Sequence, residues 1–272
     1  MTDTAADDDD LVKVQAEYGC KSAADLESIW SHWFLYGATG SGKTEAAATF
    51  PRPVFIVPQN EKSIVTLRGL PFPYFEVVDM DKTVFNPKTG VGSMQSVLDK
   101  LESGYRRNPD AFPFDTIVVE SLTHYGDLIQ EQLTRGGTKS MNQNDWGQFA
   151  SHVRNVQARL RSLDVHAVFT ALDRVESGED GKVLIGGPHL TGQLAAKLPS
   201  SCDVIGYCDL IEGKGDSQIF RIHFRRYKHF PARSRFRGLP AKVDNFRFAN
   251  IAQYLGAMEA DGVVSTETED EQ

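Results

Sequence analysis

Eight consecutive residues, Gly37-Ala38-Thr39-Gly40-Ser41-Gly42-Lys43-Thr44, carry the most specific chemistry in this 272-residue chain. They match GxxxxGK[ST] in full, with an apolar run (Phe34, Leu35, Tyr36) before them and a helix-prone EAAATF after them. Glycines at these positions let successive main-chain N–H groups turn inward around phosphate oxygens, and the start of the following helix adds partial positive charge. Lys43 is then expected on the β- and γ-phosphates of ATP, and the Thr44 hydroxyl on Mg²⁺. An incidental glycine-rich turn is the competing explanation; it leaves the coincidence of strand, loop, helix and GKT unexplained.

Two further groups are needed for hydrolysis. A carboxylate at the end of a neighbouring strand must hold Mg²⁺ through water, and Asp115-Thr116-Ile117-Val118-Val119-Glu120-Ser121 offers four buried-strand residues ending in an acid. Glu120 is that candidate; it carries one methylene more than the usual Asp, which moves the carboxylate outward. A Glu that merely caps a strand is the alternative. A second group must orient the attacking water, ideally from the strand beside the P-loop strand, and Glu61 follows the apolar run 53–58 at such a tip. Glu61 also reads as a solvated loop residue, with Gln59 and Asn60 as other candidates for contact with water or the γ-phosphate.

These residues must be placed by a scaffold, and the hydropathy pattern supplies one. Short apolar runs at 33–36, 53–58, 74–80, 114–121, 165–172, 202–210 and 218–227 read as strands, whereas 43–50, 93–104, 121–134 and 145–162 have helical spacing. In the last of these, Phe149, Val153, Val156, Leu160 and Leu163 recur every three or four residues. The alternation predicts an α/β fold with a mostly parallel central sheet flanked by helices and antiparallel strands towards the C-terminus. Two polar, glycine-rich stretches, 135–145 and 174–188, read as loops that are functional or disordered. Trp146 is expected to anchor the helix after the first of them, with base stacking as the lesser reading.

Composition narrows the class. Lys and Arg number 29 against 37 acids, for a net charge of -8, yet residues 1–10 hold five acids and 259–272 hold six, with no base in either. The acidity belongs to the ends, and the remainder is slightly basic, so nucleic acid is not excluded as a partner. Removal of 259–272 is expected to raise DNA affinity if the tail competes for the basic stretch; a solubilising tail would leave it unchanged. A chain this long buries roughly three quarters of its unfolded surface, so it needs no disulfide or zinc staple. Three cysteines without a CxxC pair indicate a reducing compartment. The histidines have no metal-binding spacing and read as structural. The N-terminus lacks the basic and apolar regions of a signal peptide, and no 18-residue apolar run occurs, so the expectation is a cytoplasmic protein without a membrane partner. The expected division is an acidic tail and helical arm over 1–32, an ATPase core over 33–257 and an acidic tail over 258–272.

With these residues in view, the chain resembles the RecA-like ATPase superfamily, and most closely the short phage-encoded single-strand annealing recombinases of the Sak type. The resemblance spans about 33–244: the P-loop, Glu61, Glu120-Ser121, two polar loops, and Gly192-Gln193-Leu194-Ala195-Ala196-Lys197 leading to Cys202-Asp203-Val204. It implies ATP and Mg²⁺ as cofactors, single-stranded DNA as partner, self-assembly into a ring or filament, a single-strand-binding protein as a further candidate partner, and a host cytoplasm. By position the two loops would line a DNA channel, with Arg135, Lys139, Arg174 and Lys182 as phosphate contacts. Flexible surface loops are the alternative, and Glu176, Glu179 and Asp180 weaken the case for the second. Ala232-Arg233-Ser234-Arg235 is similar to the family's Ala-Lys-x-Arg element, which makes Arg233 and Arg235 candidate fingers onto a neighbour's ATP. Arg in place of Lys at the first position alters that geometry. The strand ending Thr170-Ala171-Leu172-Asp173 lacks the Gln with which RecA proper senses γ-phosphate.

Residues 221–247 hold nine bases and one acid, interleaved with Phe224, Tyr227, Phe230 and Phe236. Cations that track phosphates beside aromatics that stack on bases fit single-strand binding, with Arg225, Arg226 and Lys228 as candidate contacts. A sheet edge with Arg outward and Phe inward produces the same pattern. The expected function is a Mg-ATP-dependent ATPase that binds single-stranded DNA and promotes annealing or recombination. Its rivals are another P-loop DNA motor of helicase or packaging type, a small-molecule kinase, and a nucleotide-gated DNA-binding module with little hydrolysis.

Overall fold

Trp33, Phe34, Leu35 and Tyr36 are wholly inaccessible to solvent, which makes β1 (His32–Gly37) a strand covered on both faces. A continuous apolar run is what a central parallel strand requires, because helices pack on both of its sides. The computed structural model describes residues 30–177, 183–213 and 217–255. The compact unit described below is Trp30–Tyr254; residues 1–29 and 256–272 lie outside the described residues. Both acidic tails, most of the expected N-terminal arm and Lys182 therefore fall outside them.

From β1 the chain passes through α1 (Lys43–Ala48), β2 (Pro53–Pro58), β3 (Tyr74–Asp79), β4 (Val91–Ser93) and α2 (Met94–Arg107). It continues through β5 (Thr116–Val119), α3 (Leu122–Leu133), α4 (Gln143–Leu160), β6 (His166–Ser177), β7 (Val183–Pro188) and α5 (Leu194–Ser200). The last elements are β8 (Val204–Glu212), β9 (Gln218–His223), β10 (Arg233–Ser234), β11 (Lys242–Asp244) and α6 (Phe248–Ile251). Strand order is β11-β9-β8-β1-β6-β5-β2-β3-β4, with β10 also on β8 and β7 on β6. The ladders from β4 to β8 are parallel, and β9, β10 and β11 join antiparallel. The fold class expected from the sequence is the one observed.

Period-two alternation sorts the core into two layers. Phe34 and Tyr36 share one cluster with Val97 and Leu101 of α2, Leu122 and Ile129 of α3, and Val153 and Leu160 of α4. On the other face Trp33 packs edge-on against Phe50 and Phe224, at 5.3 and 5.8 Å between ring centroids, and tilted against Phe246. Helix α4 begins in a reciprocal cap: Asn142 Oδ1 accepts from Asp145 N at 2.9 Å, and Asp145 Oδ2 accepts from Asn142 N at 3.1 Å. Such a cap contributes about 1 kcal/mol.

Several expectations need correction. β2 is not beside the P-loop strand, since β6 and β5 stand between them, and β5 is itself separated from β1 by β6. The stretch 174–188 is not a free loop: β6 continues to Ser177 and pairs antiparallel with β7, so extended pairing satisfies a backbone whose glycines suggested irregularity. His32 opens β1 instead of closing a helical arm. β9 ends at His223, short of Tyr227, because residues 224–232 leave the sheet before β10 returns to β8.

Candidate active site

The P-loop joins the carboxyl end of β1 to α1. Gly37 has no room for a side chain, because a Cβ there would lie 2.1 Å from the Cys208 carbonyl oxygen. Gly42 turns the chain into α1 at φ +80°, a left-handed conformation that glycine adopts without steric cost. Lys43 and Thr44 are polar yet only 7% and 8% exposed. The Lys43 ammonium donates to the Gly37 carbonyl at 2.9 Å, the Ala38 carbonyl at 2.7 Å and Ser41 Oγ at 3.4 Å, so the loop's own oxygens compensate its burial.

A cleft of about 550 Å³ lies over this loop, and its wall includes Lys43, Thr44, Glu61, Glu120, His124 and Phe220. The convergence follows from topology. β1, β5 and β2 run parallel, so residues after their carboxyl ends meet at one edge despite their separation in sequence. Glu120 follows β5, is 2% exposed, and is anchored by its N–H on the Ile56 carbonyl at 3.0 Å. Cys208 lies close by; burial foremost pushes its thiol up to about 12, with Lys43 lowering it and Glu120 raising it.

The Glu61 side chain is 9% exposed, which removes the solvated-loop reading. Its Oε1 accepts from Lys62 N at 2.8 Å, and its Oε2 forms an ion pair with His124 Nδ1. The hydrogen bond to Glu61 is the main reason His124 is held above its ordinary value, with burial opposing. Gln59 and Asn60 are turned elsewhere, donating to the carbonyls of Val78 at 3.3 Å and His124 at 3.1 Å.

A second cleft of about 620 Å³ adjoins the first along α1, with Glu45, Thr49, Phe72, Phe220 and Phe246 in its wall. Phe220, on β9, lines both clefts and lies against the P-loop, where a Cβ on Gly42 would come within 2.8 Å of its ring. Sequence reasoning missed Phe220, because nothing local links β9 to the P-loop. It also took His124 for structural, although a His three residues after Ser121, at the start of a predicted helix, is within reach of that serine.

The remaining candidates are placed elsewhere. Arg233 donates to the carbonyls of Ser200 at 2.6 Å and Cys202 at 3.1 Å, and Arg235 pairs with Asp203 at 3.3 Å; both flank the start of β8, the sheet edge opposite the P-loop. Lys139 is paired with the capping Asp145 at 3.0 Å, and Arg174 with Glu176 at 2.7 Å. Arg135 occupies an exposed turn at φ +53°. Arg225, Arg226 and Lys228 are exposed on the excursion between β9 and β10. Beside them Tyr207 stacks on Phe230 and His223 on Tyr227, each pair 3.9 Å between centroids, with the Lys228 ammonium 4.8 Å from the Tyr227 ring. Trp146 lies in the first turn of α4, edge-on to Phe149 at 5.8 Å but 38% exposed, so it anchors the helix start only in part.

The donors in the cleft suit magnesium. Thr44 and Glu120 offer hard oxygen donors in the lining of this cleft, few enough to leave most positions around such an ion to water and phosphate. Among the described residues no cluster of three or more His, Cys, Asp or Glu offers a dedicated metal cage. No helix of the described residues is long and apolar enough to cross a membrane.

Kinship with known proteins is visible at the level of the family. No curated protein matches the chain. Among solved structures, the flagellar accessory protein FlaH from Methanocaldococcus jannaschii is similar at 13% identity and TM-score 0.36, over 90% of this chain and 92% of that one. An ATPase from the type III secretion system of pathogenic bacteria is similar at 10% identity and TM-score 0.42, over 66% of this chain and 52%, about half, of that one. A family model described as an AAA domain matches residues 31–236, a span that contains the P-loop, Glu61, Glu120 and His124. With its phosphate-binding loop intact and that match covering most of its length, the chain belongs to the AAA domain family of P-loop ATPases.

Proposed function

We propose that the chain is a Mg-ATP-dependent ATPase that binds single-stranded DNA and promotes annealing or homologous recombination, working as a homo-oligomer. The observation that carries the ATPase reading is the convergence of Lys43, Thr44, Glu120 and Glu61 on one cleft. Lys43 would leave its loop carbonyls to bind the β- and γ-phosphates, and the adjoining cleft beside α1 would take the nucleoside. Thr44 and Glu120 would hold Mg²⁺, which neutralises phosphate charge when bound. Glu61 would orient the attacking water. Arg233 and Arg235 lie far from their own P-loop, so any finger role is in trans, across a subunit interface.

Exposed Arg225, Arg226 and Lys228 beside stacked aromatic rings support the DNA reading. Ion pairing of Lys139 and Arg174 within the chain speaks against those two as phosphate contacts. Glu120 in place of Asp favours one second reading, a nucleotide-gated module with slow turnover. Steady-state Mg-ATPase with and without single-stranded DNA separates them. Stimulation by DNA supports the proposal, DNA binding without turnover supports the module, and indifference to DNA sinks the nucleic-acid half.

A further inference from the structure

Glu61, Ser121 and His124 form a small polar cluster on the cleft wall, and the P-loop chemistry does not account for its histidine. His124 Nδ1 bonds Glu61 Oε2 and lies 2.8 Å from Ser121 Oγ, while Ser121 Oγ donates to the same Oε2 at 3.5 Å. Among the described residues both polar contacts of the imidazole fall on one ring nitrogen. A relay that activates a hydroxyl uses one nitrogen for the acid and the other for the nucleophile. Ser121 is therefore no nucleophile here, and the imidazole acts as a clamp.

The clamp is itself well anchored. Ser121 Oγ caps α3 by accepting from His124 N at 3.4 Å, and the His124 carbonyl accepts from Asn60 Nδ2 at 3.1 Å, which ties the tip after β2 to the first turn of α3. The groups facing the imidazole are acidic: Glu61 from the β2 tip, Asp127 on α3 itself and Glu120 after β5.

We propose that His124 is the positioning residue for Glu61: by holding Oε2 it fixes the orientation from which the carboxylate directs water at the γ-phosphate. The proposal rests on the ATPase reading above. A carboxylate on an untied loop tip samples several rotamers, and misplacement by about 1 Å costs on the order of 100-fold in rate.

Steady-state ATPase of the full chain tests it with His124→Ala, His124→Asn, Glu61→Gln and the His124→Ala/Glu61→Gln double variant. His124→Ala is expected to lower kcat by roughly 10- to 100-fold, with the Kd for ATP changed by less than about twofold because the P-loop is untouched. His124→Asn keeps an N–H near the Nδ1 position and should recover most of that loss. Wild-type kcat should fall as pH rises above the ordinary histidine value of about 6.5, since an imidazolium holds the carboxylate more firmly, and His124→Asn should show no such limb. Adding His124→Ala to Glu61→Gln should cost nothing further. The proposal is overturned by full kcat in His124→Ala, by His124→Asn no better than Ala, by a matching loss of ATP affinity, or by additive effects in the double variant. A wild-type chain that binds ATP without ever turning it over sinks the ATPase reading and this proposal with it, whereas active wild type with equally active His124→Ala sinks only the proposal.

Discussion

The cleft over the P-loop and the stretch 221–247 are both dense in charge, and the two regions hold it in opposite ways. In the cleft Lys43, Glu61 and Glu120 are nearly buried and line one void. In the basic stretch several cations are bound to the chain itself: Arg221 to Asp244 at 2.5 Å, Arg235 to Asp203, and Arg233 to two main-chain carbonyls near the end of α5. Arg225, Arg226 and Lys228 stay exposed and pair with no acid among the described residues, Arg225 and Arg226 donating only to the neighbouring carbonyls of Phe224 at 2.9 Å and Lys228 at 3.4 Å. Charge density in a sequence therefore measures supply; partners brought by the fold decide which charges remain available to a ligand.

Lys43→Ala tests the cleft half most severely. Loss of the buried ammonium should abolish Mg-dependent retention of labelled ATP and lower turnover by at least about 100-fold; a variant that retains nucleotide normally would break the contrast at its strong end. Arg233→Ala comes next and asks whether that side chain is scaffold or site. As a partner of the Ser200 and Cys202 carbonyls its loss should cost about 1–2 kcal/mol of stability, read as a lower Tm. Unchanged Tm with abolished turnover in the oligomer would instead make it a finger in trans.

Neutralising Arg225, Arg226 and Lys228 together to Ser should leave Tm nearly unchanged and weaken single-stranded DNA binding. The slope of log affinity against log salt should then flatten by about 0.7 for each DNA phosphate that no longer meets a cation. An unaltered slope would place the DNA surface elsewhere. The smallest effect is expected from Arg221→Ala. The Arg221 hydrogen bond foremost holds the Asp244 carboxyl below the usual carboxylate range, and burial opposes it. A depressed folded value stabilises above the unfolded value of about 3.9 and is lost as pH falls through the folded one. The Tm difference between wild type and Arg221→Ala should thus be small near neutrality, since Asp244 is 41% exposed, and vanish in strong acid.

The strands were legible because a parallel sheet buried on both faces demands largely apolar runs: 33–36 and 53–58 are such runs, and 165–172 is interrupted only by His166 and Thr170, both buried. The P-loop was legible because its glycines and GKT obey a local geometric need. The β6–β7 hairpin was not, since glycines that permit a loop also permit a paired ribbon. Nor was His124, whose role depends on a Glu carried by a different strand.

Local order alone determined the central strands and the longer helices, where a phosphate would be gripped, and that acids stand after two of those strands; the short elements β4, β7, β10, β11, α5 and α6 were not legible in it. Only the tertiary structure decided that β6 and β5 come between β1 and β2, that Phe220 lies over Gly42, that Arg233 is held on the far edge, and that Glu61 meets His124. The division has one physical cause: periodicity and main-chain conformation act between near neighbours in sequence, whereas strand order and the pairing of buried charges depend on contacts that exist only once the whole sheet has assembled.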